Sequence, residues 1–118
     1  MALRVRLVFD RIPEVKSELV ARVSQAVEAS AIAIEQDVKG GGPHAAPYVT
    51  GNLRRSYFHQ RENDLTYVVG NDAEIAPYAI YVEFGTHRAR AKPHLGPAAE
   101  AERPVFRRRV VEALKDLR

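Results

Sequence analysis

The sequence predicts an α+β fold, in which a small antiparallel sheet packs against a long N-terminal helix, with a short middle helix and a C-terminal helix. Three observations predict it. Strict alternation at the N-terminus marks a strand, an unbroken helical period follows, and two short β-type runs are then joined by a polar turn. The chain of 118 residues is the size of one domain, and its 46% hydrophobic and 28% charged residues suffice for a core.

Within residues 2–9, Leu3, Val5, Leu7 and Phe9 point one way and Arg4 and Arg6 the other, the mark of a half-buried strand. Pro13 then opens a helix over 13–39, because proline at a first helical position loses an N–H that had no partner there. Val15, Leu19, Val23, Val27, Ile34 and Val38 supply its apolar stripe. Gly40-Gly41-Gly42-Pro43 ends it. A loop rich in Gly, Pro and Ala runs to residue 52, with Thr50 placed to cap a short turn through Leu53. Residues 56–70 read as a hairpin whose strands, 56–61 and 65–70, meet at Glu62-Asn63-Asp64. Pro77 starts a short helix over 77–85 that Gly85 closes. Residues 86–96 carry His87, Arg88, Arg90, Lys92 and His94 with no apolar period, and read as an exposed arm or loop. Residues 97–117 form the C-terminal helical region, with a kink or break expected near Pro104 because proline removes an i to i−4 bond. The whole chain reads as one domain. Its three-stranded sheet leaves edges open to strand addition by a neighbour.

Charge is unevenly spread. The total is 18 basic less 15 acidic residues, +3. Residues 1–86 hold 9 basic and 11 acidic groups and residues 87–118 hold 9 and 4, so the two parts are −2 and +5. Cysteine is absent, which removes disulfides, thiol nucleophiles and thiolate metal sites together. No apolar run reaches the length of a membrane span, and Arg4, Arg6 and Asp10 interrupt any signal-peptide core.

Chemistry-bearing patterns are sparse. His44, His59, His87 and His94 have no metal-ligand spacing and read as isolated surface histidines. Ser56 lacks a nucleophile elbow, no carboxylate pair is set by sequence, and the glycine run ends a helix where a phosphate loop would begin one. Neither a catalytic set nor a cofactor or metal site is expected. Arg107, Arg108 and Arg109, with His87, Arg88, Arg90 and Lys92, are candidates for a protein interface or for lining a DNA channel.

Two segments are more deliberate. One is Thr50-Gly51-Asn52-Leu53-Arg54-Arg55-Ser56. The other is Tyr78-Ala79-Ile80-Tyr81-Val82-Glu83-Phe84-Gly85-Thr86, followed by Pro93-His94-Leu95-Gly96-Pro97-Ala98. Leu53, Tyr81 and Phe84 are expected to anchor the fold, with Phe84→Ala costing about 3–5 kcal/mol if the ring is buried. Arg54 and Glu83 are expected to orient the two segments by charge pairing.

Taken in this order behind a long helix, these segments resemble the tail-component family of long-tailed double-stranded DNA bacteriophages, the neck or tail-completion proteins of head–tail joining. The likeness spans residues 10–117, and His94 stands where an aromatic often follows the proline. The resemblance implies a non-enzymatic virion protein at the head–tail junction, assembling with itself, commonly as a ring, and with neighbouring junction or tail proteins. It implies a virion location, with host cytoplasm during assembly, and leaves room for non-specific DNA contact. The alternative is a small basic nucleic-acid-binding module that uses the C-terminal arginines, separable by a gel-shift titration and its salt slope.

Overall fold

The computed structural model describes residues 3–8, 17–48 and 50–115. The element order is β1 (Arg4–Val8), α1 (Ser17–Gln36), α2 (Asn52–Arg55), β2 (Tyr57–Asn63), β3 (Thr66–Asn71), α3 (Ala79–Phe84) and α4 (Leu95–Lys115). The architecture is α+β. The expected opening turn of the long helix at Pro13, and Phe9 of the strand, lie outside the described residues.

The three strands form one antiparallel sheet in the order β1-β3-β2, so the last strand in sequence is central. Val5 faces Val69 and Leu7 faces Tyr67, while His59 and Arg61 face the same two residues from the other side. Alternation puts all these side chains on one face. Helix α1 covers that face: the Tyr67 hydroxyl donates to Glu28 Oε2 at 3.2 Å, and His59 Nδ1 pairs with the Glu35 carboxylate. Val23, Val27, Ala31 and Ile34 on α1 are buried there with Leu3, Leu7, Tyr67 and Val69, making the core.

On the opposite face Arg4, Arg6 and Val8 are exposed. Val68 is nonetheless buried there. Arg6 reaches Glu62 at 3.0 Å, and with β1 and β2 on either side of β3 that ion pair spans the central strand. The hairpin turn sits at Asp64-Leu65 where the pattern predicts Glu62-Asn63-Asp64, so β2 runs two residues further than expected. The pairing skips a position between Arg61 and Asn63, and the Asn63 Oδ1 accepts the Leu65 N–H at 3.0 Å to close the turn.

Helix α1 runs into a wide turn, Asp37–Gly41, in which Gly40 takes φ 114° and the helix ends. The chain then doubles back, with the Ala46 N–H on the Val38 C=O at 2.9 Å. Helix α4 lies against α1, with Leu95, Ala98 and Val110 buried in the common core and the Ser30 hydroxyl on Glu102 Oε2 at 2.7 Å. It is a single 21-residue helix, begins two residues before Pro97, and is not divided at Pro104. Pro104 and Glu100, four residues earlier, both face solvent, so the carbonyl that proline leaves without a donor can bond water.

Candidate functional site

Residues 50–56, 78–86 and 93–98, counted as three motif segments, converge at the N-terminal end of α4. The first is the turn of α2 and the residues before it. Gly51 adopts φ 85°, and a Cβ there would come 3.1 Å from the Tyr48 ring. Leu53 and Ser56 are buried, and the Ser56 hydroxyl donates to the Leu53 C=O at 2.6 Å. The Thr50 hydroxyl accepts the Asn52 N–H at 3.4 Å.

Arg54 does not meet Glu83. Its Nε donates to the Ala46 C=O at 2.7 Å, and its guanidinium lies 5.2 Å from the centre of the Tyr48 ring. Arg54 thereby holds the preceding loop against its own helical turn, so the expected charge pair is replaced by a local clamp. Arg55 is exposed and bonds Asn52 Oδ1 at 2.8 Å.

Glu83 has a different task. Its side chain is buried, and Oε1 accepts the N–H of His94 at 3.1 Å and of Leu95 at 3.0 Å, while Oε2 accepts that of Gly96 at 3.1 Å. These are the amides that open α4, where unpartnered donors and the helix dipole both favour a carboxylate. The capping group comes from another helix, because position 94 is histidine and carries no capping oxygen.

His94 is not a surface residue. It is 1% exposed and sits edge-on to Tyr57, with ring centroids 5.5 Å apart. Its Nδ1 donates to the Lys92 C=O at 2.9 Å, which leaves Nε2 to accept the Tyr57 hydroxyl. A histidine thus does the packing of an aromatic while satisfying a buried phenol. The other histidines are placed differently: His44 is bonded to Asp37, His59 to Glu35, and His87 is exposed.

Burial first, and the Glu83 charge second, push the Tyr57 phenol above its ordinary range. A phenol that holds its proton more tightly in the fold contributes stability fully below its unfolded pKa of about 10, lost as pH climbs toward the raised folded value. The urea midpoint is therefore expected to fall above about pH 10, and Tyr57→Phe is expected to flatten that fall. Parallel curves for the two proteins would refute the assignment.

The inward turn of Glu83 decides what α3 shows to solvent. Ala79 and Glu83, four apart, form its buried face. At about 100° per residue, Phe84, Tyr81 and Tyr78 then lie roughly 140°, 200° and 260° round from Ala79, a contiguous outer face. Phe84 is 69% exposed, Tyr81 61% and Tyr78 40%, and Tyr48 of the neighbouring loop is 65% exposed. Of the three expected anchors only Leu53 is in the core; Tyr81 and Phe84 are outside it. Phe84→Ala is accordingly expected to change stability by less than about 0.5 kcal/mol, which a urea titration checks.

Gly85 closes α3 with φ 76°, and the Thr86–Ala89 turn follows. The segment 86–96 is an exposed arm only in part: residues 86–90 are exposed, but the Lys92 N–H bonds the Val82 C=O at 2.8 Å, and His94 and Leu95 are buried. Between the first two segments lies a groove of ≈ 360 Å³, walled by Pro47, Gly51 and Leu53 on one side and Tyr78 and Val82 on the other, with Lys92 at its edge. Leu53 and Ala79, one from each segment, belong to the same buried core, and among the described residues no ion pair joins the two segments.

The remaining candidates lie elsewhere. Arg107, Arg108 and Arg109 are exposed on α4; Arg109 approaches Glu102 at 3.4 Å, while among the described residues Arg107 and Arg108 have no ion-pair partner. Among the described residues no cluster of three metal-ligating side chains occurs, and no helix is long and apolar enough to cross a membrane.

Sequence reasoning missed the cap and the Tyr57–His94 pair. Signals for the cap were present: Pro97 marks a helix start, no Ser, Thr, Asp or Asn stands just before it, and Glu83 is the single acid of an otherwise apolar segment.

One family model matches the chain, over residues 9–85, more than half its length; it describes bacteriophage HK97-gp10-like tail components. No curated protein and no solved structure matches.

Proposed function

The chain belongs to the HK97-gp10-like family of bacteriophage tail components, and from that premise we propose that it is a non-enzymatic part of the head–tail junction, a neck or tail-completion protein that assembles with copies of itself in a ring. The observation that carries this is the outer face of α3. Tyr78, Tyr81 and Phe84 with Tyr48 leave four large rings in water over the motif segments, and contiguous exposed apolar surface of that kind marks an interface. Among the described residues the outer edges of β1 and β2 pair with no further strand, leaving backbone on which a neighbour could build. Its place is the virion, after assembly in the host cytoplasm, and its partners are its own copies and adjoining junction or tail proteins.

Native mass measurement and negative-stain images test it. Rings are expected from the wild-type chain, alone or with junction proteins, and Tyr81→Ser with Phe84→Ser is expected to yield monomers of unchanged melting temperature. Monomers under every condition would overturn the ring. Because the chain's charge is polarised, assembly is also expected to weaken in high salt with no DNA present.

Arg107 and Arg108, which have no ion-pair partner among the described residues, favour a second role, non-specific contact with DNA passing the junction. Neutralising both is expected to flatten the salt slope of duplex binding. Tight binding that this change abolishes, in a chain that never assembles, would favour the nucleic-acid-binding module instead.

A further inference from the structure

The trench beside α3 has a chemistry of its own. The groove of ≈ 360 Å³ over Leu53 continues past Tyr78, Val82 and Lys92, which it shares with a second hollow of ≈ 200 Å³ lined also by Tyr81, Ala89 and Arg90. Two apolar hollows thus lie side by side, with Tyr78, Val82 and Lys92 common to both. The polar groups that border them are cationic or neutral: Lys92 belongs to both, Arg90 to the second, and Thr50 and Thr86 add hydroxyls. Among the described residues no acidic side chain lines either hollow. The one carboxylate of α3, Glu83, is turned inward onto the amides of α4 and so does not offset the positive rim.

We infer that this trench binds an extended segment of a neighbouring virion protein carrying two apolar side chains flanked by carboxylates. The inference rests on the assembly role proposed above and names the class of partner. Apolar side chains fill the hollows over Leu53 and Tyr81, and the carboxylates meet Lys92 and Arg90. Duplex DNA suits the rim charge but has no side chains to fill the hollows, so the partner is a peptide segment. Anchors in apolar pockets supply the affinity, and the charged rim supplies orientation and selection against basic segments.

Fluorescence anisotropy on the full chain tests this with short labelled peptides. One carries two leucines among glutamates, the second replaces glutamate with lysine, and the third replaces leucine with serine; unlabelled duplex DNA is the competitor. The leucine–glutamate peptide is expected to bind at least about tenfold more tightly than either of the others. Arg90→Glu with Lys92→Glu, both at exposed positions, should weaken it by a similar factor while the melting temperature holds. Absence of binding, equal binding of the serine or lysine peptide, or displacement by duplex DNA would each overturn the inference. Peptide binding by a chain that stays monomeric would leave the trench standing and remove the ring. Rings that bind no peptide would do the reverse.

Discussion

Glu83→Ala is expected to lower the stability of the protein by about 3 kcal/mol, read as a drop in the urea midpoint. The carboxylate accepts three backbone N–H groups, those of His94, Leu95 and Gly96, and the first two of these residues are buried. Alanine leaves those donors without an acceptor and without ready access to water. A buried donor left unmade costs about 1–3 kcal/mol, against which stands the desolvation that the carboxylate itself no longer suffers. Glu83→Gln separates charge from shape. Its amide oxygen can still accept from His94 and Leu95, but its NH2 would confront the Gly96 N–H, so it should fall between wild type and alanine. A Glu83→Ala midpoint equal to wild type would show that α4 needs no cap from α3.

Gly85→Ala is the second large expected loss, about 3 kcal/mol or more. Gly85 has φ 76° and ψ 173°, a region essentially reserved for glycine. Sterics add to the backbone strain. A Cβ at this position would stand 2.6 Å from the Ala91 nitrogen and 3.0 Å from its Cα, both main-chain atoms that cannot swing aside. The variant must move the segment 86–91 away from α3, and with it Arg90 and Lys92 of the trench. It is therefore expected to lose both midpoint and affinity for the leucine–glutamate peptide. A variant with wild-type stability would mean that this chain turn is not held as described.

Much of the fold was legible. The alternation of β1, the stripe of α1 and the glycines that end it are local periodicities, and each follows from which side of an element must be dry. The hairpin was readable to within two residues, its turn displaced because a skipped pairing position near Glu62 is a matter of register and not of composition. Helix α3 was different. Six residues with apolar groups on nearly every side have no dominant stripe, so the pattern could not say which way the helix faces. That ambiguity placed Phe84 in the core, and the lack of an apolar period around His94 left it at the surface, though one is 69% and the other 1% exposed.

By itself, then, the sequence determined the α+β class, the order of the elements and the three segments that make up the candidate site, because periodicity, helix stops and short motifs are properties of neighbouring residues. Only the tertiary structure decided what those segments do. The unpartnered amides at the start of α4 lie where a carboxylate from α3 can reach them, and drawing Glu83 inward rotates Tyr78, Tyr81 and Phe84 out into solvent. A helix end must find acceptors somewhere, and which residue supplies them depends on distance in space, which no spacing along the chain records.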